Sequence, residues 1–68
     1  MQRYSIVIQY SEIDNCYVAS VPELEGCMAH GDTYDEAMKE ILDAMSLHIE
    51  MLQEMGKELP QPKLLASN

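Results

Sequence analysis

Positive charge is scarce in this chain. Arg3, Lys39, Lys57 and Lys63 are its only cations besides two His, against 12 Asp and Glu, for a formal net charge of −8. Binding to nucleic acid by phosphate neutralisation needs clustered Lys and Arg. These four are scattered, so direct DNA or RNA binding is not expected. Long apolar runs are also missing, and nothing approaches the ~20 residues of a membrane-spanning helix. The opening stretch MQRYSIVIQY alternates polar and apolar residues and carries no small-residue cleavage pattern, so a cytoplasmic location is expected. Only Cys16 and Cys27 could form a disulfide, and without a secretory signal reduced thiols are the default. There is no repeat and no low-complexity segment.

The chain is short as well. Its 68 residues make one domain, of a size that buries only about 60% of the surface its unfolded chain exposes. Small cores are commonly supplemented by disulfides, metals or oligomerisation, which makes self-association an expectation. Hydrophobic residues nevertheless make up 47%, too many for a disordered chain. The excess of acid either suits a basic partner or keeps a small protein in solution.

Residues 4–10 read YSIVIQY. Tyr4, Ile6, Ile8 and Tyr10 fall on one face and Ser5, Val7 and Gln9 on the other, the period-two pattern of a half-buried strand. SEIDN (11–15) is polar and ends in residues that tolerate turn geometry, so it reads as a hairpin loop. CYVASV (16–21) is the second strand, stopped by Pro22, which cannot donate to a ladder. Residues 23–26 form a turn that uses the backbone freedom of Gly26. CMAH (27–30) is a short third strand, ended by Gly31.

Thr33 followed three residues later by Glu36 is a capping box that opens a helix. Asp35 and Glu36 also suit the positive end of its dipole. Helical spacing runs to Met55, Gly56 is the stop, and the helix is about 33 Å long. Tyr34, Ala37, Met38, Ile41, Leu42, Met45, Ile49, Leu52 and Met55 share one stripe. Leu47 and Met51 break the polar side. A helix this long outruns a sheet of short strands, so its second half, with Leu47, Met51 and Met55, is expected to overhang and to mark self-association. Met38 and Met45 are expected in the core. Residues 1–59 form the domain. Residues 60–68 form an extended arm, with 63–66 as a possible fourth strand.

V-P-E-L-E-G-C (21–27), then G-D-T-Y-D-E-A (31–37), then M-G-K-E-L-P-Q-P (55–62) resemble the HicB family of antitoxins. With the first hairpin these segments cover nearly the whole chain. The resemblance implies a partial ribonuclease-H-like α+β fold of order β-β-β-α with a short fourth strand. It also implies a role, since HicB proteins occlude HicA toxins, small basic ribonucleases that degrade mRNA and use a His. Longer members carry a C-terminal DNA-binding domain. No such domain fits before Asn68, so operator binding is not expected.

A ribonuclease-H-like name invites a two-metal nuclease, whose carboxylates must converge on ions about 3.5–4 Å apart. The first strand holds no Asp or Glu, and Glu12, Asp14, Glu23, Glu25 and Asp32 lie on loops. Cys27-x-x-His30, with Cys16, falls short of the four paired ligands of structural zinc. Cys27 reads better as a packed small hydrophobe, and His48 as a partly buried His with a hydrogen-bond partner. Tyr4, Tyr10 and Tyr17 read as packing residues with polar tips. No enzyme activity, metal or cofactor is expected. Two readings remain. One is an interaction module that binds a HicA-like toxin through the acids around Glu23, Glu25 and Asp32 and through exposed sheet edges. The other is a stand-alone homodimeric or larger structural domain with no toxin.

Overall fold

The computed structural model describes residues 3–62. Strands β1 (Val7–Ser11), β2 (Cys16–Ser20) and β3 (Met28–Gly31) precede one helix, α1 (Tyr34–Glu54). The strands form an antiparallel sheet in the order β1-β2-β3, an α+β fold with the helix laid on one face. Ile8, Ala19 and Ala29 stand in one row of the register and Tyr10, Tyr17 and Gly31 in another. These rows face the helix, because side chains two apart share a face. Ala19 is fully buried, and Ile8, Tyr17 and Ala29 pack against the core.

The strands are shorter than the alternation suggests. Pairing starts at Val7 rather than Tyr4, yet Tyr4 is buried and its hydroxyl donates to the Pro60 carbonyl. The second strand ends at Ser20, and the third is Met28–Gly31 rather than 27–30. Two back-to-back turns explain both shifts. The Leu24 N–H donates to the Val21 carbonyl (3.0 Å) and the Cys27 N–H to the Leu24 carbonyl (3.0 Å). The Val21 N–H then closes the loop onto the Cys27 carbonyl (3.1 Å). Gly26 supplies the positive φ (82°) that the second turn requires.

Both helix ends behave as their residues dictate. Thr33 is extended at the N-cap, and its hydroxyl accepts from the Glu36 N–H (3.1 Å). The returning Glu36 carboxylate accepts from Asp32 N (3.0 Å), one residue before the expected cap amide. The helix ends at Glu54, with Met55 as its C-cap. Gly56 turns left-handed (φ 70°), its N–H bonds to Gln53 O (3.1 Å), and Lys57 N–H bonds to Leu52 O (2.9 Å). That double bond pattern is a Schellman motif, which satisfies carbonyls the last turn leaves open.

Ala37, Ile41 and Met45 are buried, four residues apart on one face, and Met38, Leu42, Ile49 and Leu52 pack beside them. Full burial of a side chain such as Ile41 is worth about 1.5–3 kcal/mol. Tyr34 lies at the rim, its exposed ring set edge-on to Tyr17 at 6.1 Å, and Tyr17 meets Tyr10 the same way at 5.2 Å. The expected overhang is confined to one flank. Ile49 and Leu52 are half-buried against the core, to which Tyr4, Val21, Leu24 and Cys27 contribute from outside the strands. Leu47, Met51 and Met55 on the other flank remain exposed. The possible strand at 63–66 lies outside the described residues. Pro60 is held by Tyr4, and residues 60–62 belong to no helix or strand.

The helix packs chiefly on β3. At Gly31 the two elements meet backbone to backbone, and a Cβ there would lie 2.3 Å from Ala37 N. The sheet rows and this contact together set the helix over β3, with its flank above the outer edge of that strand.

Candidate interaction surface

β3 is an edge strand, paired on one side only among the described residues. Each end of that edge carries a surface depression. At the Gly31 end an open groove of about 560 Å³ is lined by Asp14, Asp32, Glu36 and Glu40, with Lys39 and His30. Asp14 comes from the β1–β2 hairpin, where its N–H donates to the Ser11 hydroxyl (3.2 Å). Glu36 is fixed by its bond to Asp32 N, and Glu40 follows one helical turn later. Four carboxylates against one lysine make this end anionic.

At the Gly26 end a second groove of about 290 Å³ is lined by Gly26, Cys27, Met28, Ala44, Leu47, His48 and Met51. It is apolar apart from His48. Leu47 (66% exposed), Met28 (57%) and Met51 (47%) leave large apolar area in solvent. His48 is half-buried, but among the described residues its side chain makes no hydrogen bond, contrary to expectation.

The structure does not bring the three expected acids together. Glu25 is exposed on the loop between β2 and β3, whereas Asp32 is exposed at the opposite end of β3. Glu23 is 7% exposed. Its two carboxylate oxygens each accept from the Ser5 N–H (3.1 Å), and one also accepts from the Ser5 hydroxyl (3.1 Å). Glu23 therefore pins the segment entering β1 instead of offering charge outward. Glu23→Ala is expected to cost about 1–3 kcal/mol by leaving a part-buried amide without its acceptor. Urea unfolding measures it, with Glu23→Gln losing less; a variant as stable as the parent would refute the assignment. Asp14 reads from the sequence only as a loop acid, and Glu40 is not singled out by it. Glu40 shares a helix flank with Glu36 and was legible in principle, but Asp14 joins them only through the sheet.

Both cysteines are free thiols. Cys27 is buried, and burial pushes its thiol above the ordinary pKa, the reverse of what activates a nucleophile. Parity along β3 turns Ala29 toward the helix and Met28 and His30 away, so exposed His30 lies apart from Cys27, which is buried in the core. Among the described residues no group of three or more His, Cys, Asp or Glu is placed to hold a metal ion. No described helix is long and apolar enough to cross a membrane.

A family model described as the HicB-like antitoxin of bacterial toxin–antitoxin systems matches residues 4–68. An uncharacterised 14.9 kDa protein of Haemophilus phage HP1 is 43% identical over 58 residues, which are 85% of this chain. The chain spans only 42% of that phage protein's length. A UPF0150 protein of Synechocystis is 38% identical over 60 residues, covering 88% of this chain and 72% of its own. Among solved structures, the N-terminal domain of Burkholderia pseudomallei antitoxin HicB superposes with a TM-score of 0.69 at 27% identity, over 93% of this chain and 69% of that one. A chain of the HicA3 and HicB3 toxin–antitoxin complex gives 0.72 at 31% identity, over 90% and 70%.

Proposed function

Because the chain belongs to the HicB-like antitoxin family of bacterial toxin–antitoxin systems, we propose that it is a non-catalytic binding module that covers a small basic HicA-type toxin and occludes its RNA-cleaving site. One observation carries the reading: Asp14, Asp32, Glu36 and Glu40 converge in an open groove without a metal-holding arrangement. Such a field attracts a cationic protein and raises the rate of encounter. With a net charge of −8, the whole chain adds to that attraction.

Co-expression tests it. A small basic chain encoded beside this one is expected to arrest growth alone, to be neutralised when both are made, and to co-purify with it. Arrest that persists with both chains present at equal level overturns the proposal. The second reading, a stand-alone homo-oligomeric domain with no toxin, draws on the exposure of Leu47, Met51 and Met55. A stable dimer in sedimentation, with no basic chain encoded nearby, would put that reading first.

A further inference from the structure

The two depressions lie at either end of one open strand edge, under one flank of one helix. Glu36, Glu40, Ala44, Leu47 and Met51 recur at spacings of three and four and so share that flank. Its first two turns are acidic and its later turns apolar. We infer that the outer edge of β3 is a strand-docking site for an extended segment of a basic partner, cationic over Asp32 and Glu40 and apolar between Met28, Leu47 and Met51. This deepens the antitoxin reading and rests on it for the partner's identity as a toxin.

An edge strand presents a row of backbone donors and acceptors that templates another strand. Proteins usually blunt such edges with Lys, Pro, a bulge or a cover. β3 reads Met-Ala-His-Gly, has no Lys or Pro, and lies in unbroken register with β2 from Tyr17↔Gly31 to Ser20↔Met28. Among the described residues no strand pairs with its outer side. Charge then selects the occupant. A second copy would bring −8 against −8, whereas a strand with Lys or Arg at one end meets carboxylates there and apolar surface at the other. The segment's direction is fixed by the same gradient.

The probe is a synthetic peptide with two lysines followed by alternating Thr and Val, compared with the same peptide carrying two glutamates. Amide resonances of the full chain are followed on titration. The lysine peptide is expected to shift and protect the amides of residues 28–31. Asp32→Lys with Glu40→Lys, which leaves the Thr33 and Glu36 cap intact, is expected to weaken it about tenfold or more, as loss of close charge pairs does. Leu47→Glu is expected to weaken it separately. Equal binding of the glutamate peptide, shifts centred on β1, or no shift at millimolar peptide overturns the inference. So does concentration-dependent protection of residues 28–31 without peptide, which identifies a second copy as the occupant. If the lysine peptide docks on β3 but no basic neighbour is neutralised in cells, the toxin assignment falls and the docking site stands.

Discussion

Gly31→Ala is expected to unfold this protein or leave it barely folded. The added Cβ would sit 2.3 Å from Ala37 N, 2.7 Å from the Glu36 carbonyl carbon and 2.8 Å from the Ala37 Cα. Overpacking against side chains that can move costs about 1–3 kcal/mol. Here every neighbour is backbone, in the first turn of a helix held by the Thr33 cap and by the Ala37 N–H bond to Thr33 O (3.0 Å). Relief means lifting the helix off β3 or breaking the cap, so the loss should reach or exceed about 3 kcal/mol. A domain of 68 residues has about 3–10 kcal/mol to lose, at about 0.05–0.15 kcal/mol per residue. Gly56→Ala is the control. Gly56 has a positive φ but open space around it, so only the left-handed backbone penalty of about 1–2 kcal/mol applies. Circular dichroism with urea titration separates the two. A Gly31→Ala protein melting within a few degrees of the parent would disprove the close approach.

Leu24→Ala is expected to lose about 2–5 kcal/mol, the range for truncating a buried Leu, although Leu24 sits in a loop. It is 1% exposed and is among the largest fully buried side chains, with Ile41 and Val21. The double turn holds its backbone by both its N–H and its carbonyl, so the cavity cannot readily collapse. Leu47→Ala, on the exposed flank, should change stability by no more than about 0.5 kcal/mol. If the two variants unfold at the same urea concentration, Leu24 is not part of the core.

These two positions also show where the sequence stops being legible. Alternation along the first strand separated its two faces, because strand periodicity is a local property. Thr33, Glu36 and Gly56 marked the helix ends for the same reason, since caps are built from residues a few positions apart. Leu24 reads as one apolar residue between two glutamates in a turn, with no period to reveal that it points inward. Gly31 reads as a strand terminator; its real constraint is the backbone of Ala37, pressed against it by the packing of the helix. Glu23 carries the same charge as Glu25, and only the course of residues 4–6 past the loop makes one structural and leaves the other exposed. The acidic groove is a tertiary product, since it needs a hairpin residue, a strand end and two turns of helix in one place. Exposure at Leu47, Met51 and Met55 was legible from a helix longer than the strands beneath it. That Tyr4, Leu24 and Cys27 join the core from outside the strands was not.

Tyr4 leads into β1, and its hydroxyl holds the carbonyl of Pro60, a residue 56 positions later in the chain. Residues 4 and 60 therefore share one corner, beside the segment that leads into β1, the strand at the opposite edge of the sheet from β3. A tether attached to the side chain of Arg3 or Gln61, both exposed, starts from that corner. Anchoring the protein to a surface through either attachment would turn the β3 edge outward, toward whatever is in solution.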